Sequence, residues 1–275
     1  MSPDGFDDHA HDVRAMLATR QPFEPEMILI PAGEFLMGSD PQKDPHARSD
    51  EQPQHTLFLP DYAIAKTPVT NAQYALFLRA SRHKPPRHWR VWRWKHRWPP
   101  LGRKNYPVIN VSWHDALAYC RWLAEVTGKP YHLPNEPEWE KAARGTDGRI
   151  HPWGNVWEPR RCNIGEELGK ECTTPVDAYP EGASPYGLLD AIGNVWEWTR
   201  SLWGRSLAEP EFKYPYDPAD GRENLRAADD VRRVLRGVSF FNDRASARCA
   251  SRYRYSPANR YVSVGFRVAI APNAR

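Results

Sequence analysis

The chain has 275 residues, with 12 Trp, 12 Tyr and 9 Phe against 27 Pro and 17 Gly; that is enough bulky material for one sizeable core but too many turn formers for long regular elements, so a single loop-rich domain is expected. No run approaches the ~18 apolar residues of a membrane span, and the opening MSPDGFDDHAHDVRAM is acidic and polar where a signal peptide is basic and then apolar, which leaves the cytoplasm as the default compartment. The net charge of +4 is local, because residues 82–104 carry Lys and Arg without one acid, and four scattered Cys with no Cys-x-x-Cys or His-Glu-x-x-His exclude a disulfide scaffold and a local zinc motif.

Residues 1–24 are expected to form a short helix around residues 13–17 or to stay disordered, leaving 25–275 as the domain. EMILIPAGEFLMGSD reads as two apolar strands joined by a Pro-Ala-Gly turn, a hairpin that opens it. A short strand follows, then Thr70 as N-cap of a helix whose Ala72, Tyr74, Ala75, Phe77 and Leu78 keep helical spacing. The basic stretch RHKPPRHWRVWRWKHRWPPLGRK interleaves Trp89, Trp92, Trp94 and Trp98 with its cations, as single-stranded nucleic-acid platforms do. Cation–π stacking inside a surface insertion bracketed by Pro pairs accounts for the same pattern and is the preferred reading.

Ser112-Trp-His-Asp115 matches a capping box, and a helix to about Val126 follows, burying Ala116, Tyr119, Cys120 and Leu123 before Gly128 ends it. Asn135 caps a third helix, with Glu136 in its first turn and Trp139 turned inward. From there to Gly221 almost nothing is periodic, so bound ions or a dense polar network must hold the chain. Cys162 and Cys172 can bridge one loop there. The chain closes on a strand over 264–269, broken by Gly265.

MILIPAGEFLMGSD, TPVTNAQY, YPVINVSWHDALAYC, LPNEPEWEKAARG, PYGLLDAIGNVWEWT, and RVLRG-S with GFRV together resemble the formylglycine-generating enzyme (sulfatase-modifying factor) family, in the family's order over about 26–269. The resemblance implies an α+β domain with a C-type lectin-like core, little regular structure and calcium in the long loops. One calcium site would use the Glu197 side chain with carbonyls of Asp190, Gly193 and Val195; a second would use Asn163 and Ile164, with Glu167 or Glu171 as the candidate carboxylates. Oxygen ligands of this kind are what calcium takes.

Catalytic members hold copper(I) with two cysteines five positions apart, just after Arg-Gly-Gly-Ser. Here the stretch is Arg236-Gly237-Val238-Ser239, and those positions fall at Asn242 and near Ala247. Neither offers the soft thiolate that copper(I) requires, so no copper and no oxidation of a substrate cysteine are expected. Cys249 and Cys120 align with structural cysteines whose partner positions hold other residues, and they read as packing thiols.

Between the Arg, Gly and Pro positions of residues 236–267 stand Phe241, Asn242, Asp243, Ser246, Ser251, Tyr253, Tyr255, Ser256, Tyr261 and Ser263. Tyr, Ser, Asn and Asp are the residues paratopes favour, since Tyr gives rigid amphipathic area and the others adaptable hydrogen bonds. The segment resembles the variable region of target proteins of diversity-generating retroelements, in which mutation of template adenines cannot convert Asn codons into Lys, Glu, Gln, Trp or Met; none of these occurs in residues 224–275. The expectation is a monomeric, noncatalytic binder of a macromolecular, protein ligand, held from beneath by arginines bonded to buried carboxylates. The alternatives are a formylglycine-type oxidoreductase or maturation factor, and nucleic-acid binding through residues 82–104.

Overall fold

The computed structural model describes residues 13–89, 99–168 and 172–271. Three helices begin where the sequence places their caps. At α1 (Asn71–Ala80) Thr70 accepts from the Gln73 amide while the Gln73 side chain returns to the Thr70 amide; Ser112 with Asp115 does the same at α2 (Trp113–Thr127), and Asn135 with Glu138 at α3 (Glu136–Arg144). Each box satisfies amides that a helix start leaves orphaned. Gly128 ends α2 at φ +72°, the left-handed conformation glycine adopts without strain. A single turn, α4 (Gly165–Leu168), lies in the long loop region.

The strands pair over longer distances than expected. The two runs beside Pro31–Gly33 do not form a hairpin: β1 (Met27–Ile30) pairs with β4 (Tyr62–Ala65), and β2 (Gly33–Met37) with β3 (His55–Leu59). Side chains from elsewhere hold the connector open. The Ala32 amide donates to Asp61 at 2.5 Å, and the Pro31 and Gly33 carbonyls accept from Lys141 Nζ at 2.7 and 2.9 Å.

The closing run also divides. β9 (Val264–Gly265) runs parallel to β6 (Trp196–Gly204), whereas β10 (Ala269–Ile270) inserts between β4 and β5 (Tyr131–His132). The chain therefore leaves one sheet, ordered β8-β7-β6-β9, and enters the other, ordered β1-β4-β10-β5, where β7 is Arg232–Arg236 and β8 is Arg252–Tyr255. β6 lies within the stretch read as aperiodic. Its residues are buried except for a half-buried Arg200, so no polar alternation marks it.

The main core gathers Tyr74, Phe77, Tyr119, Trp198 and Phe266, with Cys120 filling space beside them. A second core forms around Trp139, Ile64, Leu188 and Cys249. Residues 13–18 are helical and bury Val13 in the main core, while Glu24 accepts from Lys129 Nζ at 2.7 Å and from the Tyr131 hydroxyl at 2.6 Å. Trp89 is buried edge-on against Tyr74, so it serves the core and offers no platform to a base. Trp92, Trp94 and Trp98 lie outside the described residues. No helix among the described residues is long and apolar enough to cross a membrane.

Candidate functional site

β7 delivers Arg236 and then turns sharply. Gly237 has φ +96°, and a Cβ there would stand 2.9 Å from the Trp139 ring, so only glycine fits. After it the Asn242 side chain folds back, its Oδ1 accepting from the Ser239 amide at 2.9 Å and the Ser239 hydroxyl at 3.0 Å. Asp243 caps the short helix Arg244–Ser246 through the Ser246 amide. This loop rests on α4: the Gly165 amide donates to the Asn242 carbonyl, and the Arg244 amide to Glu166 at 2.7 Å.

The positions where catalytic relatives would carry thiols therefore present a turn-forming amide, Asn242, and the fully buried Ala247. Cys249 is buried with its Sγ 3.7 Å from the Ala143 carbonyl, and burial pushes its thiol up to about 12. Burial raises Cys120 further. A thiol so far above neutral pH holds almost no thiolate, the form that binds metal or attacks. Cys162 is buried and Cys172 exposed, and the two are not joined in a disulfide.

Arginines support the segment from below. Arg252 places Nε and Nη2 at 2.8 and 2.9 Å from Glu136, Arg236 bridges Glu136 at 3.0 Å and Glu140 at 2.5 Å, and Arg248 reaches Glu51 at 2.7 Å and Asp44 at 3.0 Å. Arg260 grips Asp115 at 2.9 and 3.0 Å. The carboxylates stand on α2, α3 and the 44–51 loop, so the segment is clamped to rigid parts of the fold by planar, directional pairs.

On β8 the alternation sends Arg252 inward and Tyr253 and Tyr255 to the other face. Tyr253 stacks on Trp196 (5.4 Å between centroids, 29° between planes), meets Tyr255 edge-on at 5.1 Å, and Tyr255 meets Tyr261 at 4.4 Å. Tyr261 is 40% exposed and Phe241 56%. The structure thus joins Tyr253, Tyr255 and Tyr261 into one aromatic ladder, while Phe241, Asn242 and Asp243 sit on the separate loop over α4. Trp196, the base of the ladder, is absent from the sequence-level residue set; the two-residue alternation of RYRY was the available signal for which Tyr side chains share a face with it.

Ser246 and Ser251 need correction as surface residues. Both are buried, because the Ser251 hydroxyl donates to the Ser246 carbonyl at 2.6 Å and the Ser246 amide is taken by Asp243. Ser256 is half-buried and donates to the Asp229 carbonyl, and the Ser263 carbonyl accepts from Trp196 N–H. These serines shape the loop more than they present hydroxyls.

The oxygen sets implied for calcium differ in their fit. Glu197 is fully buried, and its carboxylate takes Arg267 Nε at 2.6 Å, Arg267 Nη2 at 2.7 Å and Trp139 Nε1 at 2.9 Å. Arg267 also holds the Asp190 carbonyl, and the Gly193 carbonyl accepts from the Val195 amide. A guanidinium already satisfies this set, which does not fit a second cation.

Around Asn163 the chemistry is more open. Asn163 Oδ1 is buried without a hydrogen-bond partner, and burial pushes the nearby Asp190 carboxyl up to about 8 although the Asn194 amide donates to it at 2.7 Å. Asn194 also accepts from the Thr174 amide and binds the Thr174 carbonyl, so Asn163, Asp190, Asn194 and Thr174 share one buried polar network. An orphaned amide oxygen in one network with a buried carboxyl fits a hard cation. Ile164 is buried beside them; Glu171 and the Glu167 side chain lie outside the described residues. Among the described residues no three His, Cys, Asp or Glu converge, so amide oxygens would have to complete such a site.

The family model for the sulfatase-modifying factor enzyme 1-like domain matches residues 14–272. The formylglycine-generating enzyme of Mus musculus is 32% identical, over 89% of this chain and 74% of its own length. The inactive C-alpha-formylglycine-generating enzyme 2 of the same organism is also 32% identical, over 83% and 86%. Among solved structures, PvdO from Pseudomonas aeruginosa superposes with a TM-score of 0.71 at 27% identity, covering 91% of this chain and 96% of that one. Treponema denticola variable protein 1 superposes with a TM-score of 0.64 at 24% identity over 90% and 95%, a likeness of fold. With its loop-rich α+β architecture of C-type lectin-like type, the chain belongs to the sulfatase-modifying factor (formylglycine-generating enzyme-like) domain family.

Proposed function

We propose that this chain is a noncatalytic recognition protein, of the kind diversified by retroelements, which presents residues within 236–267 to a protein ligand. The observation that carries the reading is the half-exposed ladder Tyr253–Tyr255–Tyr261 on Trp196, clamped from beneath by buried arginines. A rigid aromatic surface loses little side-chain entropy on binding, which is why such residues become hot spots. The side chains at the two cysteine positions, an amide and a methyl, supply no soft donor. The likeness of fold to Treponema denticola variable protein 1 supports this reading.

A partner captured by pull-down provides the test. Alanine at Phe241, Tyr253, Tyr255 and Tyr261 is expected to weaken binding by about 2 kcal/mol or more at each true hot spot, and unchanged affinity in the quadruple variant refutes the reading. A near-copy of the codons for residues 236–267 beside a reverse transcriptase gene is expected in the flanking DNA. The second reading, a formylglycine-type oxidoreductase, is favoured by the identity to the mouse enzyme. Incubation with copper(I), oxygen and a cysteine-containing substrate peptide, followed by mass spectrometry for the aldehyde, decides between them.

A further inference from the structure

The aromatic ladder does not account for a cationic cleft at the edge of the segment. One recess of about 280 Å³ is lined by Tyr74, Lys84, Arg87, Val111, Asp115 and Arg260. A second, of about 230 Å³, shares Arg87 and Arg260 and continues toward Asn110 and Ala258. Together they form one groove between the chain that follows α1 and the connection from β8 to β9.

The charges in this groove do not balance. Asp115 is its acid, and both of its oxygens are occupied: Oδ2 by the Ser112 amide and Arg260 Nε, Oδ1 by His83 Nε2 at 2.8 Å and Arg260 Nη2. Arg260 is thereby neutralised but keeps N–H groups at the exposed edge. Lys84 and Arg87 are exposed and make no ion pair among the described residues. Two positive charges therefore face the recess without a counter-ion among the described residues.

An independent feature points the same way. Tyr74 is fully buried, its ring packed between Tyr119, Phe77 and Trp89. Its hydroxyl has no hydrogen-bond partner. Burial raises the phenol well above its ordinary value, with Asp115 and Arg260 the nearest charged influences, so the group remains a donor throughout the physiological range. A buried donor without an acceptor is costly and calls for an explanation. An oxyanion answers both features, since it accepts from the phenol and neutralises the cations.

We propose that the groove bounded by Tyr74, Lys84, Arg87 and Arg260 is an oxyanion-binding site that takes a carboxylate or a phosphate group. It is separate from the ladder and does not depend on what the ladder binds. The guanidinium of Arg260, fixed in orientation by Asp115, offers its remaining N–H groups; Lys84 and Arg87 close over the anion from the solvent side; Tyr74 donates from within.

Thermal shift of the full chain, titrated with inorganic phosphate or with succinate at ionic strength held constant by sodium chloride, tests the proposal. A saturable rise in Tm is expected with at least one of the two anions, and which of them acts identifies the source as phosphate or carboxylate. Lys84→Gln with Arg87→Gln, both at exposed positions, is expected to raise the half-saturating concentration about tenfold or more. Tyr74→Phe, which deletes one oxygen, raises it by a smaller factor, and Lys84→Gln alone serves if that variant does not fold. Tyr253→Ala leaves the response intact, which separates this site from the recognition surface. No saturable response to either anion, or an unchanged half-saturation in the double variant, overturns the proposal.

Discussion

Glu136→Gln tests whether buried ion pairs hold the recognition segment. Glu136 is fully buried at the start of α3 and accepts from Arg252 Nε and Nη2 at 2.8 and 2.9 Å and from Arg236 Nη1 at 3.0 Å. Glutamine preserves the volume but removes the charge and turns an N–H group toward guanidinium donors. Arg236 keeps the Glu140 carboxylate, whereas Arg252 loses its carboxylate partner and keeps only the glutamine oxygen and the Asp50 carbonyl as acceptors. Removing one partner of a buried pair costs about 3–5 kcal/mol, and at ~2–4 °C per kcal/mol for chains near this size the Tm falls by about 10 °C. Urea unfolding followed by Trp fluorescence, together with calorimetry, measures it. Glu181→Gln is the control: Glu181 is 84% exposed and 3.8 Å from Arg161, so its change stays below about 1 kcal/mol. A loss at Glu136 as small as that of the control would refute the clamp. Burial alone would raise the Glu136 carboxyl, but Arg252 and Arg236 outweigh it and hold it below its ordinary value. Its contribution is therefore present above the unfolded pKa of about 4.3 and is lost as pH falls through the lower folded value.

Lys141 gives a pH dependence of the same sign at the alkaline end. Burial pulls its ammonium down to about 8, so the native state holds fewer protons than the unfolded state between about pH 8 and 10.4 and stability rises with pH there; Lys141→Met should lose this slope in chemical denaturation measured across the window. Thiol titration with an aromatic disulfide should find Cys172 reactive in the native protein and Cys120, Cys162 and Cys249 reactive only after unfolding, following their burial; fast reaction of Cys249 contradicts its placement. Calcium added to chelator-treated protein should raise Tm saturably through the Asn163 network, and Asn163→Ala should abolish the rise. Glu197→Gln should lower stability by stranding Arg267 while leaving any calcium response in place, a result that distinguishes the two oxygen sets.

How much of this was legible varies with the range of the interaction. The starts of α1, α2 and α3 were readable because a capping box closes within four residues: Thr70 with Gln73, Ser112 with Asp115, Asn135 with Glu138. The arginine clamp was legible as a pattern, but not its partners, since Arg248 meets Glu51 across 197 positions and Arg252 meets Glu136 across 116. β6 was missed because a strand buried on both faces carries no alternation. Ser246 and Ser251 were misplaced outside because small polar residues serve loop interiors as readily as surfaces.

The sequence by itself determined the family, the caps of the helices, the identity of the side chains at the two cysteine positions, and the aromatic character of residues 241–261, all of them properties of residue type and short spacing. Only the tertiary structure decided that Pro31–Gly33 separates strands of two sheets, that Glu197 meets a guanidinium, and that Tyr253, Tyr255 and Tyr261 stack on Trp196. It also decided that Lys84 and Arg87 face Tyr74 and Arg260 across one groove. Those outcomes depend on which distant groups satisfy a buried charge or an open hydrogen bond, and that competition is resolved only when the whole chain packs.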